Sequence, residues 1–452
     1  MGRRFRYAKG HCLTPNSVRP ELVEGLLFSC ILAGRKGRCF DKLSTNGLVL
    51  AKKIPEGIST ATRLVTAGRR AEWTGAAVNP PVWRASTYLY DDCAAQEAGR
   101  HVNADGLFHY GARGGPTQWA LADALTELEE GAAGTMLYPT GLAAPVMALL
   151  SVLKSGDELL VADNSYDPTR SFATKALRDY GISTRFFDPL DVAGFAALIG
   201  DNSRAVLLES PGSLTMEVCD VPALAKAAKA RGLAVLLDNT WAGPTGFQAL
   251  SHGVDLSILA LTKHVGGHSD VMLGSVTATA EYYPRLRKRS LMLGQQASPD
   301  DCALALRGLR TMGVRLERSS ASGLAIAEWL QGRSEIAAVL CPMLPGSPGH
   351  ELWRRDFSGG CGLLTAIMAG GDAAARDRLI DALQLFGIGY SWGGFESLAL
   401  GVHPERDRTV MAWPPPGRDP AHRFAVRLWI GLEDPADLIA DLAQGLAAWS
   451  AG

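Results

Sequence analysis

Short apolar segments alternate with helical ones from about residue 119 onward, and this alternation limits the possible folds more than any other feature of the sequence. The apolar segments are four to six residues long: Glu158–Ala162, Thr184–Phe187, Ala205–Glu209, Leu233–Leu237 and Leu256–Leu261. Helical periodicity marks the segments around them: Trp119–Glu130, Leu142–Leu153, Arg170–Tyr180 and Val221–Ala230. The pattern predicts an α/β fold with a mainly parallel sheet that is covered by helices on both faces. In such sheets ligands bind outside the carboxyl ends of the strands.

The composition changes towards the C-terminus and indicates a second, smaller domain. Ser319–Leu330 has a helical period, and Asp434–Trp449 has the period of an amphipathic helix. Between them, Phe424–Ile430 alternates like a strand. We therefore predict a large domain over residues 119–315 and a smaller α+β domain over residues 316–452.

The N-terminal segment differs from the rest of the chain in charge. Residues 1–58 hold 11 Lys and Arg against 4 Asp and Glu, a net charge of +7, whereas the other 394 residues hold 34 against 42, a net charge of −8. Acidic residues interrupt its basic and apolar parts, so it does not match a signal peptide. We expect this extension to be a disordered tail or the product of a start codon assigned too early.

Composition excludes several classes of protein. Hydrophobic residues make up 47% of the chain, which is enough for a large core, but no apolar run approaches the roughly 20 residues of a membrane-spanning helix. A net charge of −1 gives no overall electrostatic footprint for nucleic acid. The eight cysteines form no C-x-x-C pair, so we predict no metal site and reduced thiols in a cytoplasmic protein.

Lys263 and Asp238 are the first candidates for chemistry, because both stand at the carboxyl ends of predicted strands. Lys263 leaves an apolar strand for the Gly-rich turn Val265–Asp270, where a desolvated amine could act as a Schiff-base nucleophile. The alternative is a surface lysine at a strand end. Asp238 could pair with a protonated pyridine nitrogen, and the alternative is a helix N-cap.

Other candidates could hold an anion or a planar ring. Gly141 and Leu142 open a predicted helix, whose free N–H groups could bind a phosphate, and the Thr262 hydroxyl could contribute. Tyr166 lies in a turn that could place its ring over a planar cofactor, or it packs as an ordinary loop tyrosine. Arg427 lies in an apolar strand and could bind a carboxylate, unless that face of the strand is solvated.

Several longer motifs, in a fixed order, resemble the Cys/Met-metabolism family of pyridoxal-phosphate enzymes. The motifs are Tyr110–Gly114, Leu208–Glu217, Leu237–Ala242, Thr262–Asp270, Arg307–Thr311, Tyr390–Ser397 and Arg427–Asp434. The resemblance runs from about residue 60 to the end. It implies the fold of the pyridoxal-phosphate-dependent transferases, aspartate aminotransferase type I, with pyridoxal 5′-phosphate as the cofactor.

The resemblance also assigns roles to the candidate residues. It implies that Lys263 forms the Schiff base with the cofactor, that Asp238 pairs with the pyridine nitrogen and that Tyr166 stacks on the ring. The implied phosphate contacts are Gly141, Leu142 and Thr262. The implied substrate contacts are Arg427, which binds the α-carboxylate, and the neighbouring Ser391 and Trp392. The implied catalytic residues are Lys263, Tyr110 and Tyr166.

An N-terminal arm over residues 59–118 is expected to reach a neighbouring subunit. In this family the loop that contains Tyr110 and Arg113 contacts the partner's cofactor, which implies a homodimer or homotetramer with shared active sites. Two departures from the family pattern concern the phosphate: Ala112 stands where the family usually has Arg, and Ala260 where it often has Ser.

The implied reaction is α,β-elimination of L-cystathionine to homocysteine, pyruvate and ammonia. A γ-lyase or γ-synthase on the same fold, and a pyridoxal-phosphate-binding protein with impaired catalysis, stay open as alternatives. A nucleotide-binding dehydrogenase is disfavoured because no G-x-G-x-x-G follows an early strand. The preference among cystathionine, cystine and other cysteine S-conjugates is also open.

Overall fold

The computed structural model describes residues 57–100, 105–414 and 419–450. Contacts within the chain place the described residues 89–100 in one unit and residues 57–88, 105–414 and 419–450 in another. The described part of the first unit contains one helix, Cys93–Arg100. Our prediction for residues 1–58 lies outside the described residues, apart from the last two positions.

A seven-stranded sheet forms the centre of the second unit. Its strands are β1 (Gly134–Tyr138), β2 (Glu158–Ala162), β3 (Ser183–Phe187), β4 (Ser203–Glu209), β5 (Ala234–Asp238), β6 (Leu256–Ala260) and β7 (Gly274–Ala278). They lie in the order β1-β7-β6-β5-β4-β2-β3. All neighbours are parallel except β7, which runs antiparallel to β1 and β6. The predicted parallel sheet is therefore confirmed, and β7 departs from it because it follows β6 without a crossover helix.

Both faces of this sheet are buried, which explains why its strands are continuous apolar runs. Along β2, Leu159 and Val161 face one apolar core, and Leu160 and Ala162 face the other. Successive side chains of a strand point to opposite faces, so a run of apolar residues fits a strand that is covered on both sides.

A five-stranded sheet lies in the C-terminal part. Its strands are β8 (Ile336–Leu340), β9 (Leu363–Met368), β10 (Gly387–Ile388), β11 (Leu398–Val402) and β12 (Ala425–Trp429). They lie in the order β10-β11-β12-β9-β8 and pair antiparallel except for β10 with β11. The predicted smaller α+β region is thus present, and the strand predicted at Phe424–Ile430 is β12.

Helices of the second unit pack against both sheets, and one more helix, Cys93–Arg100, belongs to the first unit. They are α1 (Thr60–Thr66), α2 (Ala71–Thr74), α3 (Cys93–Arg100), α4 (Pro116–Leu128), α5 (Ala143–Val152), α6 (Asp167–Ser171), α7 (Leu177–Asp179), α8 (Val192–Leu198), α9 (Val221–Lys229), α10 (Gly243–Gly246), α11 (Tyr283–Met292), α12 (Pro299–Gln331), α13 (His350–Asp356), α14 (Ala373–Ala382), α15 (Pro404–Asp407) and α16 (Pro435–Ser450). A π-helical turn, Phe172–Ala176, joins α6 to α7, so the helix predicted at Arg170–Tyr180 is interrupted. None of the helices in the described ranges has the length and apolar content that crossing a bilayer requires.

Helix α12 is 33 residues long, and only its part from Ser319 to Leu330 was predicted. Ser298 caps it by accepting a hydrogen bond from the Asp300 N–H, and Pro299 occupies its first position. A polar cap followed by proline and acidic residues is a helix-start signal that the sequence already contained. The domain boundary predicted at residues 315 and 316 lies inside this helix.

Candidate active site

A cavity of about 690 Å³ lies at the carboxyl ends of the central strands of the large sheet and extends to β12. Most of the predicted site residues line it: Gly141, Leu142, Tyr166, Asp238, Thr262, Lys263, Ser391, Trp392 and Arg427. These residues come from segments up to 286 positions apart (427 − 141) in the sequence. The fold therefore brings together in one cavity the residues that the motifs singled out.

Lys263 follows β6 and projects its amine into the cavity. Its Nζ donates a hydrogen bond to Ser391 Oγ at 2.7 Å and lies 5.1 Å from the centroid of the Trp392 ring. Burial lowers the pKa of Lys263 to about 8, and the positive charge of Arg427 acts in the same direction. A substantial fraction of the amine is therefore neutral near physiological pH, as a nucleophile requires.

The backbone opposite Lys263 approaches it closely. A Cβ placed on Gly393 would lie 2.8 Å from Lys263 Cα, and Gly393 has a φ of +92°, so only glycine fits there. Ser391 has a φ of +81°, which is uncommon for a residue with a side chain. Leu214 and Ser269 also have positive φ and also line the cavity. Such backbone conformations concentrate at functional sites.

Asp238 is the last residue of β5, and Thr240 holds its carboxylate. Asp238 Oδ1 accepts hydrogen bonds from the Thr240 hydroxyl at 2.5 Å and from the Thr240 N–H at 3.1 Å. The Thr240 hydroxyl in turn accepts from the Ala260 N–H at 2.9 Å. Burial raises the pKa of Asp238, and the bonds from Thr240 and the charge of Lys263 oppose that shift. The helix-cap alternative is not seen, because helix α10 is capped by Ala242.

Glu209 is a cavity residue to which our sequence reasoning gave no role. The register of β4 and β5 places it beside Asp238, and its Oε2 accepts a hydrogen bond from the Tyr166 N–H at 2.7 Å. Burial, followed by the neighbouring Asp238 charge, raises the pKa of Glu209 well above its ordinary value. The two buried carboxylates therefore disfavour each other's ionisation, because like charges repel in a site shielded from water. Two carboxylates at the ends of adjacent predicted strands were the signal that could have revealed it.

Tyr166 and Arg427 enter the cavity from different elements, the turn before α6 and strand β12. Tyr166 directly precedes helix α6 and is 47% exposed, and burial of its hydroxyl together with the charge of Glu209 raises its pKa. Arg427, in the middle of β12, donates a hydrogen bond from Nη2 to the Ser391 carbonyl at 3.0 Å. Burial lowers the pKa of Arg427 to about 10, so it stays a cation at neutral pH. In the described part of the chain no carboxylate pairs with Arg427, so a bound carboxylate is its natural partner.

Gly141 and Leu142 lie at the N-terminus of helix α5. Within the described ranges their N–H groups donate to no protein acceptor, so they are available to an anion. Ala260 lies directly against this turn, since a Cβ added to Gly141 would come within 2.9 Å of Ala260 Cβ. The Thr262 hydroxyl is engaged by the backbone of Leu273, donating to its carbonyl at 3.2 Å and accepting from its N–H at 3.0 Å. Its predicted phosphate contact stays a prediction.

Tyr110 and Arg113 do not line this cavity. Tyr110 is 54% exposed, and Arg113 lines a different cavity of about 320 Å³, together with Ala112. A single chain therefore does not bring these two residues to Lys263, and their action on a neighbouring subunit stays a prediction.

The cavity has the donor set that a planar, phosphate-bearing aldehyde requires. A partly neutral amine can bond the aldehyde, a buried carboxylate can face a ring nitrogen, and free N–H groups at a helix start can hold the phosphate. Fold and site thus define a pyridoxal-phosphate-dependent enzyme. The chain belongs to the Cys/Met metabolism PLP-dependent enzyme family, whose model matches residues 61–447.

Within that family, the chain is similar to proteins named as cystathionine beta-lyases and to a cystathionine gamma synthase. It is 43% identical over 377 residues to the cystathionine beta-lyase of Bordetella avium, covering 82% of this chain and 93% of that protein. It is 41% identical over 391 residues to the cystathionine beta-lyase of Escherichia coli K12, covering 85% and 98%. The crystal structure of cystathionine gamma synthase from Xanthomonas oryzae pv. oryzae, in complex with aminoacrylate and cysteine, superposes with a TM-score of 0.79 at 32% identity and covers 88% of this chain and 100% of that one. The resemblance inferred from the motifs, the fold class and the cofactor are confirmed.

Proposed function

We propose that this protein is a carbon–sulfur lyase that converts L-cystathionine to homocysteine, pyruvate and ammonia by α,β-elimination, a step of transsulfuration in methionine biosynthesis. The observation that carries the proposal is the convergence of Lys263, Asp238 and Arg427 in one cavity. The choice of reaction rests on the relatives: the lyases named above are 41% and 43% identical to the chain, whereas the gamma synthase structure is 32% identical.

The cofactor end of the site is assigned to five residues. When bound, pyridoxal phosphate supplies an electron sink for the negative charge that develops at the substrate Cα. The Asp238 carboxylate keeps a ring nitrogen protonated, which strengthens that sink. The N–H groups of Gly141 and Leu142 would hold the phosphate, with the Thr262 hydroxyl as a further contact, and Tyr166 would pack against the ring.

Arg427 and Lys263 act on the substrate. The Arg427 guanidinium, held by the Ser391 carbonyl, binds the α-carboxylate and so directs the Cα–H bond towards Lys263, with Trp392 beside it. The neutral Lys263 amine takes the α-proton, and the resulting ammonium can return a proton to the leaving sulfur. Tyr166 is a second candidate donor, because its raised pKa keeps the phenol protonated at neutral pH.

The assembly proposed here is a homodimer, alone or within a homotetramer, in which the arm over residues 59–118 brings Tyr110 and Arg113 to the partner's cavity. The charges that line the cavity support this proposal. Its only cationic lining residues within the described ranges are Lys263 and Arg427, and both are assigned to other groups. Within the described ranges, a single chain therefore leaves no cationic side chain of the cavity to pair with a phosphate dianion. We also place the protein in the cytoplasm, in line with the free thiols of its five described cysteines.

The test is to incubate the purified protein with pyridoxal phosphate and L-cystathionine and to identify the keto acid that forms. Pyruvate together with homocysteine supports the proposal. 2-Oxobutyrate together with cysteine would keep the role of Lys263 but assign the enzyme to γ-elimination. A visible absorption band from bound cofactor without any keto acid would show a binding protein without this activity.

A further inference from the structure

A buried carboxylate beside the cavity joins the two sheets of the molecule. Asp163 directly follows β2 and its side chain is fully buried. It accepts a hydrogen bond from Arg170 at 3.0 Å and bonds from the backbone N–H groups of Thr409, Val410 and Met411 at 2.8 to 3.0 Å. The Thr409 hydroxyl donates a further bond at 2.7 Å. A segment that follows β11 in the C-terminal sheet is thereby fixed to the end of a strand in the large sheet.

Arg408, in the same segment, joins this carboxylate turn to a second loop. Its Nη1 donates to the Asp163 carbonyl at 3.0 Å, and its Nη2 donates to the Ser213 carbonyl at 2.9 Å and to the Thr215 hydroxyl. The Arg408 side chain is only 3% exposed. We call Asp163, Arg170, Arg408 and Thr409 the brace.

The brace encloses the turn that carries Tyr166. Asp163 lies three residues before Tyr166 and Arg170 four residues after it, so both ends of the turn are held while the Tyr166 ring is half-exposed in the cavity. On its other side the brace holds the loop that contains Ser213 and Leu214, which line the cavity. The same contacts thus fix two neighbouring parts of the cavity wall.

Buried ion pairs add little net stability compared with apolar residues of the same size, but their directional bonds define a geometry. In the brace, two arginines and a carboxylate form such bonds at the cavity wall. We propose that Arg408 is a positioning residue, which acts through the brace to set the Tyr166 turn and the Ser213–Leu214 wall around the cofactor ring. This inference rests on the role proposed above for Tyr166.

The first experiment compares Arg408→Gln with Arg406→Gln in the cofactor-loaded enzyme. Arg406 is exposed and lies in the same short helix region, so it is a matched control. We expect Arg408→Gln to lower kcat by about 10-fold with KM changed by less than about threefold, because a small displacement of a positioned group is costly to the reaction. We also expect it to weaken the visible circular dichroism of the bound cofactor, which reports the ring's orientation. Arg406→Gln should leave both unchanged.

A double-mutant cycle separates positioning from general damage. In a Tyr166→Ala background, where the ring is absent, Arg408→Gln should lower kcat by less than about twofold further, because coupled residues are not additive. An equal loss in both backgrounds would overturn the inference. Should Arg408→Gln fail to fold, Thr409→Val removes one hydroxyl bond to Asp163 and should change kcat and dichroism in the same direction by about two- to threefold.

The two proposals can fail separately. If the wild-type protein forms no pyruvate from cystathionine, the dichroism of Arg408→Gln against Arg406→Gln still tests the brace. If the wild-type enzyme is an active lyase and Arg408→Gln leaves dichroism and kcat unchanged, the brace inference is overturned and the proposed function stands.

Discussion

The two ends of the cavity differ sharply in what one chain supplies. The reaction end, formed by Lys263, Asp238 and Arg427, contains two cations and a buried anion, each held by a named hydrogen bond. The phosphate end, formed by Gly141, Leu142 and Thr262, offers backbone N–H groups and a hydroxyl that is already engaged. Within the described ranges, a single chain thus contains the groups proposed for proton transfer and carboxylate binding, but its phosphate end has no cationic side chain, which is why we propose that a partner completes it.

The largest expected effect is at the reaction end. Lys263→Ala should remove the visible band of bound cofactor and lower kcat by about a thousandfold or more, because nucleophile and proton acceptor are lost together. Absorbance spectra and pyruvate formation measure the two effects. Lys288→Ala, an exposed lysine of α11, is the control and should match the wild type. Normal turnover of Lys263→Ala would contradict the assignment.

A mixture of inactive variants tests whether the phosphate end is completed by a partner. Arg113→Ala and Lys263→Ala chains, each nearly inactive alone, should regain about a quarter of wild-type activity when co-expressed one to one. Half of the dimers are then mixed and each mixed dimer has one intact site.

The control pair for this mixture is Lys263→Ala with Asp238→Asn, whose lesions lie in the same chain's site. No intact site can form from that pair, so its activity should stay at the level of the separate variants. If the Arg113→Ala mixture shows no gain either, Arg113 does not act across subunits.

The pH dependence of cofactor uptake should report the pKa of Lys263 at the reaction end. Burial lowers the pKa of Lys263 to about 8, and only the neutral amine attacks an aldehyde. In cofactor-free protein the rate of uptake should therefore fall about tenfold for each pH unit below 8 and level off above it. Stopped-flow absorbance gives this rate. A profile that is flat between pH 6 and pH 8 would show that the amine is neutral throughout and that about 8 is not its pKa.

The smallest effect is expected at Ala260, which lies against Gly141. Ala260→Ser should add a hydroxyl near the phosphate and lower the Kd for pyridoxal phosphate by about two- to tenfold, the worth of one hydrogen bond. Gly141→Ala should move Kd the other way, because the new Cβ would lie 2.9 Å from Ala260 Cβ. Equilibrium dialysis measures both values. An unchanged Kd in Ala260→Ser would show that the phosphate lies away from this contact.

Local sequence patterns predicted those strands and site residues whose positions are determined by neighbouring residues in the chain. Strand β2 has the bounds that its apolar run predicts, because polar residues border it and both of its faces are buried. Lys263 and Asp238 were found because parallel strands bring their carboxyl ends to one edge. In the C-terminal region β8, β9, β10 and β11 were missed, since short apolar runs do not differ clearly from buried helix segments.

The remaining site residues depend on contacts between distant segments. Glu209 gains its role from the register of two strands, and Arg408 reaches the Asp163 carbonyl across 245 positions of sequence. The Arg408 contact leaves no signal in the sequence, whereas Glu209, like Asp238, stands at the carboxyl end of a predicted strand. The hydrogen bond from Thr240 to Asp238 differs from these contacts, because a threonine two residues after an aspartate is a local pattern that was visible in the sequence.

Helix α12 also limits how this molecule can diversify. Its 33 residues begin beside the large sheet and continue to the residue before Gly332, so no interruption separates the two regions there. Recombination between relatives at the predicted boundary would join two halves of this helix from different proteins. The buried faces of the two halves would have to remain aligned along the helix. The two regions are therefore expected to be inherited together.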